Sequence, residues 1–267
     1  RQMDALLHSV RACDHPLVPH LEGSLNPHRD IAILDTEFIL SDLVAIEKRL
    51  ERLESDLKKA GKEKENALKE QAVLLKLKGA LEAEKPIRDM ELAHDEELLI
   101  RSFGFLSQKP ALIIVNTGDE ARAPKEYVTY PHRHSAVAVL QGKLEMEIAQ
   151  MSPEDAEVFL ADFDIQEPGR LRVIHQSYDL LGLHSFLTVG EDECRAWTIR
   201  RGATAIEAAA AIHTDLSKGF IRAEVFNYDD MVALGSEAAV KSAGKFKLEG
   251  KEYVVKNGDI VHIRFSQ

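Results

Sequence analysis

Ile39, Leu43, Ile46, Leu50, Leu53 and Leu57 recur at alternating four- and three-residue steps. That is the a/d spacing of a helix that buries one seam against a partner. Gly61 interrupts the run among lysines. A second arm then carries Leu68, Ala72 and Leu75, with Leu74, Leu77 and Leu81 on an adjoining stripe. Two such arms around a glycine-bearing turn predict an antiparallel helical hairpin. Its start is expected at Asp35-Thr36-Glu37, with Thr36 as N-cap and acidic residues suiting the first turn. The mixed charge on its surface fits either a solvated structural hairpin or a docking arm for a large partner.

The apolar period changes on either side of the hairpin. Asp4 to Arg11 has the pattern of a buried central strand, followed by a loop through Gly23, Asn26 and Pro27. Ala111 to Val115 is an unbroken apolar run, the mark of a strand buried on both faces of a parallel sheet, and Ala136 to Leu140 repeats it more weakly. Helices are expected at 95–105, 152–163, where Pro153 takes the first helical position, and 171–181. Strands alternating with helices indicate an α/β domain with the hairpin inserted. After Gly182 the pattern becomes strand-like at 186–189, 194–199, 220–226, 253–255 and 260–265, with one alanine-rich helix from Ala203 to His213. A small mixed sheet with one principal helix is the β-grasp pattern.

Composition narrows the function. The 267 residues carry a net charge of −11, which argues against a globally basic nucleic-acid or DNA binder while leaving room for a local basic face. No apolar run approaches the roughly 20 residues that span a bilayer, so no membrane partner is expected. Cys13 and Cys194 lie far apart with no metal-ligand spacing, so both are expected to be reduced packing residues, as in a cytoplasmic protein. The chain opens at Arg1, in mid-pattern and without Met, which suggests a piece of a longer protein.

The later residues are more specific. Arg195-Ala196-Trp197-Thr198-Ile199, Gly202-Ala203-Thr204, Ile212-His213-Thr214-Asp215, Lys218 to Val225 and Glu249 to Asp259 resemble the C-terminal block of the YchF/Obg-like ATPase family. The likeness extends upstream through Asn26-Pro27-His28-Arg29-Asp30-Ile31 and the hairpin. It implies an α/β architecture: a partial Ras-like P-loop NTPase domain with an inserted coiled-coil hairpin, then a ubiquitin-like TGS domain. The corresponding divisions are 1–36 and 106–182 for the nucleotide domain, 37–105 for the hairpin and 183–267 for the TGS domain.

The resemblance also implies ATP or GTP with Mg²⁺ as ligands, hydrolysis as activity and the ribosome as partner. Such proteins carry a P-loop, G-x-x-x-x-G-K-[ST], whose amides and lysine hold phosphates. No such run occurs in these residues, nor does the family's γ-phosphate-sensing segment, so the chain by itself is not expected to hydrolyse nucleotide. The alternative is a non-catalytic module that binds RNA or the ribosome.

The resemblance implies that the base-binding half is present, although a plain strand-to-loop turn would give the same residues. Asn116-Thr117-Gly118-Asp119 follows the buried strand, where an Asn amide can meet a purine edge and an acid can accept from a ring N–H and an exocyclic amine. The family pattern there is N-x-x-E, associated with accepting ATP; Asp119 departs from it and leaves purine choice open. Gln141-Gly142-Lys143 after the next strand would form a second base-contacting loop, with Gly142 allowing close backbone approach. His20 matches a family loop histidine implicated in hydrolysis, and an imidazole can orient or deprotonate a water near neutral pH. The other histidine groups, His15, His20 and His28, and His132 with His134, lack zinc-site spacing. In the last domain Arg195, Arg200, Arg201, Lys218 and Arg222 form a basic set through which RNA contact is possible, with Trp197 or Phe220 either stacking on a base or serving as core.

Overall fold

A computed structural model describes residues 2–15, 17–58, 61–118, 123–162, 165, 167–190 and 193–266. The chain divides into two compact units, Arg1–Leu180 and Leu181–Gln267.

The first unit is built on a parallel sheet. Strand β1 (Leu6–Arg11) leads to helices α1 (Pro27–Asp56), α2 (Lys62–Glu82) and α3 (His94–Ile100). Then come β2 (Ala111–Asn116), α4 (Pro124–Tyr127), β3 (Ser135–Leu140), α5 (Gly142–Ile148), α6 (Pro153–Asp162) and α7 (Gly169–Leu180). Strand order is β1-β2-β3, both pairs parallel, with Arg11, Asn116 and Leu140 in register at the carboxyl edge. Side chains of a strand alternate between faces. Accordingly Ile113 and Val115 pack with Ile31 of α1 and Val10, whereas Leu112 and Ile114 pack with Val173 and Leu180 of α7. The unbroken apolar run of β2 thus reflects helices on both faces. β1 differs from the central strand expected: it lies at one edge of the described sheet, and Leu7 is exposed.

The hairpin begins earlier than its leucine spacing indicates. Asn26 caps α1 by accepting the Arg29 N–H at 3.1 Å, and Pro27 occupies the start of the helix. Proline there supplies a pre-set φ and forfeits an N–H that would be unpaired anyway. Thr36 is therefore inside the helix, its hydroxyl donating to the Ala32 carbonyl. One continuous helix of 30 residues runs from the sheet-packing Ile31 to the hairpin seam Ile39, Ile46 and Leu53. On α2 the seam consists of Ala67, Val73, Leu74, Leu77 and Leu81; Leu68 and Leu75 face outward, correcting the first-named stripe. Arg49 and Glu70 join the arms through two parallel hydrogen bonds of 2.7 Å. The base is locked by Asp42, fully buried, whose carboxylate accepts from Leu106 N–H at 3.0 Å and Ser107 N–H at 2.7 Å.

The second unit contains β4 (Leu183–Val189), β5 (Cys194–Arg200), α8 (Ala205–Ile212), α9 (Thr214–Lys218) and β6 (Phe220–Asn227). It closes with α10 (Tyr228–Leu234), α11 (Glu237–Ser242), β7 (Lys247–Glu249) and β8 (Asp259–Phe265). Strand order is β5-β4-β8-β6-β7, with β4 and β8 parallel and the other neighbours antiparallel, a β-grasp sheet. The Glu207 carboxylate caps α8 by accepting the Thr204 N–H at 2.7 Å and the Thr204 hydroxyl at 2.8 Å, and the helix covers one face with Ala205, Ala208 and Ala209. The single principal helix expected is accompanied by α10 and α11 on the other face, where Val240 and Met231 pack on Phe226 and Ile260. Asn227 and Ser236 cap these two short helices, a signal the apolar pattern does not carry. Residues 253–255 form no strand; only an isolated bridge joins Val254 to Thr204.

Candidate functional site

Three loops meet at the carboxyl edge of the parallel sheet, the edge at which open α/β sheets place their ligands. Ala12, just past β1, donates its N–H to the Asn116 carbonyl at 2.8 Å, and Thr117 donates to the Leu140 carbonyl at 2.8 Å. These bonds prolong the strand pairing into the loops and hold them side by side.

Asn116 ends β2 half-buried, and its Oδ1 accepts the Gly142 N–H at 3.0 Å. A Cβ on Gly142 would lie only 2.5 Å from that oxygen, so a larger residue here would force the Asn116 amide to shift. The structure therefore brings Asn116 and Gly142 together. Lys143 follows as an exposed residue in the first turn of α5. A Cβ on Gly118 would stand 3.5 Å from Cys13 Cβ, which places the first loop against the second. Asp119 lies outside the described residues.

His20 is in the loop between β1 and α1. Its Nε2 is 2.9 Å from Asp30 Oδ2, and its Nδ1 accepts the Glu22 N–H at 3.1 Å. Both ring nitrogens are thus engaged, Nε2 as donor and Nδ1 as acceptor. Asp30 is in the first turn of α1, and its Oδ1 takes two hydrogen bonds from Arg29, at 2.8 and 3.0 Å. Arg29 also ties down the loop through Ser24, at 3.0 Å to the hydroxyl and 2.7 Å to the carbonyl. Arg11 braces the same loop from β1, donating to the Cys13 carbonyl at 2.8 Å and the Val18 carbonyl at 2.7 Å. Asp30 is the partner of His20 that sequence reasoning missed. The signal for it was the Asn26-Pro27 cap, which puts residue 30 in a first helical turn rather than in a loop.

His132 Nδ1 meets Asp89 at 2.7 Å, and Asp89 also accepts the Arg133 N–H at 2.8 Å. Burial opposes the Asp89 charge, but these donors prevail and hold its carboxyl below the ordinary range. Among the described residues no three His, Cys, Asp or Glu side chains converge as metal ligands.

In the second unit Phe220 is core, whereas Trp197 is half-buried against the same cluster. Arg195 lies 4.2 Å above the Trp197 ring and the indole N–H bonds Thr188 at 2.9 Å, so this ring is both anchored and capped by a cation. Lys218 lies 3.7 Å from Asp215, which offsets its charge. Cys194 is exposed rather than packed, and Cys13 is half-buried. Among the described residues no helix is long and apolar enough to cross a membrane.

A family model described as "YchF-GTPase_C: Protein of unknown function (DUF933)" matches residues 183–266. The ribosome-binding ATPase YchF of Bacillus subtilis (strain 168) is 41% identical over 274 residues, covering 100% of this chain and 74% of the relative. Obg-like ATPase 1 of Gallus gallus is 34% identical, covering 98% of this chain and 68% of its own. The solved structure of the Schizosaccharomyces pombe YchF GTPase aligns with a TM-score of 0.83 and 30% identity, over 98% of this chain and 72% of that one.

Proposed function

The chain belongs to the YchF/Obg-like ATPase family, and on that premise we propose that it supplies the base-binding and water-activating elements of a nucleotide hydrolase that works at the ribosome. The observation that carries this reading is the Asn116–Gly142 bond at the carboxyl edge of three parallel strands. It spends one acceptor of the amide on fixing the neighbouring loop.

In this reading the Asn116 amide meets the purine edge, Asp119 accepts from the ring, and Gly142 and Lys143 border the base. His20 orients or deprotonates the attacking water. The triphosphate brings Mg²⁺ with it. The sequence holds no P-loop lysine. These 267 residues alone would therefore bind without hydrolysing. Residues 1–36 and 106–182 act as the nucleotide domain, 37–105 as the hairpin arm and 183–267 as the TGS domain.

The relatives named ribosome-binding ATPases support a ribosomal partner and a cytoplasmic setting. The Arg195–Trp197 stack favours a second reading for the TGS domain, contact with RNA, in which the cation meets phosphate and the ring borders a base.

Isothermal titration of the full-length protein with ATP and GTP tests the proposal. Asn116→Ala is expected to weaken both by about tenfold, equivalent to about 1.4 kcal/mol. Asp119→Glu is expected to reduce a preference for GTP. Unchanged affinity in Asn116→Ala would reject the base-binding role.

A further inference from the structure

We propose that Asp30 is a positioning residue that parks His20, restraining hydrolysis until the pair opens. The inference rests on the reading of His20 as the water-orienting group and adds what controls that group.

A histidine that takes a proton from water must present a lone pair to it. Here the Nδ1 lone pair accepts the Glu22 N–H at 3.1 Å, and Nε2 donates to Asp30 at 2.9 Å. No ring nitrogen is left for water. The arrangement differs from a catalytic dyad, in which the carboxylate binds one nitrogen and leaves the other open toward the reacting atom. The two side chains are also largely shielded, at 15% and 16% exposure, so bulk water competes weakly for the pair.

Asp30 is well held. Arg29 occupies its Oδ1 through two hydrogen bonds, leaving Oδ2 for the imidazole. The Asp30 N–H joins the Asn26 carbonyl at 3.1 Å, and Asn26 caps the helix, so the carboxylate follows the position of α1. The His20 backbone belongs to the loop, where its carbonyl accepts the Gly23 N–H at 3.0 Å, and Leu21 beside it is fully exposed. Breaking the pair frees Nε2 while the Glu22 turn can persist.

Two measurements test this. In the parent protein the His20 ring N–H, assigned by its absence in His20→Ala, should give a slowly exchanging imidazole resonance that disappears in Asp30→Ala. In single-turnover hydrolysis by the full-length protein, Asp30→Ala should raise the rate about five- to tenfold with little change in KM, as expected if the parked state holds about 80–90% of the population. Asp30→Glu, which keeps a carboxylate, should stay near the parent rate, and the Asp30→Ala/His20→Ala double variant should fall to the level of His20→Ala. A resonance that survives in Asp30→Ala overturns the pairing. A rate that drops in Asp30→Ala, as it would if the carboxylate assisted His20, overturns the restraint. An unchanged rate in His20→Ala would instead reject the catalytic reading itself, and the resonance would still report whether the pair exists.

Discussion

Asp42 Oδ2 accepts the Ser107 N–H at 2.7 Å across 65 residues of sequence, while Oδ1 of the same carboxylate takes the neighbouring Leu106 N–H at 3.0 Å. A side chain in the middle of α1 thereby closes the chain segment that returns from the hairpin to β2. Removing it would leave two backbone donors without their carboxylate in a buried place. Asp42→Ala is expected to lower unfolding free energy by about 3 kcal/mol, since charge-assisted hydrogen bonds and unpaired donors both count. Asp42→Asn, with one acceptor oxygen, should lie between. Urea denaturation monitored by far-UV circular dichroism measures both.

The hairpin seam offers a sharper comparison. Leu77 is fully buried between the arms and Leu75 is 53% exposed, yet both are leucines of one helix. Leu77→Ala should cost about 2–5 kcal/mol through lost burial and the cavity left behind. Leu75→Ala should stay within about 0.5 kcal/mol. Comparable losses in urea melts of the two variants would mean that the seam is drawn on the wrong stripe.

Gly142→Ala puts a methyl group 2.5 Å from Asn116 Oδ1, closer than such atoms come. Asn116 must turn away and its bond to the Gly142 N–H is lost, at a cost of about 1 kcal/mol in stability. Nucleotide affinity should fall further than stability does, because the amide that turns away is the one assigned to the base. Thermal melting and calorimetric titration on the same sample separate the two effects.

Burial holds the His184 imidazole below its ordinary pKa, aided by the Arg201 charge and opposed by Asp259; His8 is lowered by burial against the pull of Asp35 and Asp30. The neutral rings are favoured in the folded protein, so the unfolded chain binds protons first as pH falls. The stability tied to these residues is complete above about pH 6.5 and declines below it. His184 Nε2 is buried without a hydrogen-bond partner among the described residues, so His184→Leu breaks no hydrogen bond at that nitrogen and removes the titration. Melting temperatures between about pH 5 and 8 should fall less steeply on acidification in His184→Leu than in the parent; parallel slopes would refute the assignment.

Legibility followed how local the cause was. β2 was visible because two covering helices demand apolar side chains on both faces, and Ala111 to Val115 supply them consecutively. The α1 seam was visible for a similar reason, since Ile39, Ile46 and Leu53 keep a strict seven-residue step. The α2 seam was ambiguous: leucines occupy both adjoining stripes, and only the partner helix decides which is covered. The start of α1 was misplaced because Asn26 and Pro27 suit a turn as well as a cap, and the choice depends on Ile31 finding the sheet. At the candidate site, the Asn116 loop could be placed from its strand, but Asp30 as the partner of His20 could not. That pair closes across ten positions of sequence, along a path set by Arg11 and Arg29, neither of which has a local pattern.

The unbroken course of α1 has a geometric consequence. Asp30 and the seam residues Ile39, Ile46 and Leu53 share one helix axis, so their angular relation is set by residue count alone. One residue inserted between Ile31 and Ile39 would rotate the seam relative to Asp30 by about 100°, whereas seven would bring them back to within about 20°. Length variation in that stretch is thus quantised: the hairpin can lengthen by whole pairs of turns and keep its phase with the sheet, but not by a single step.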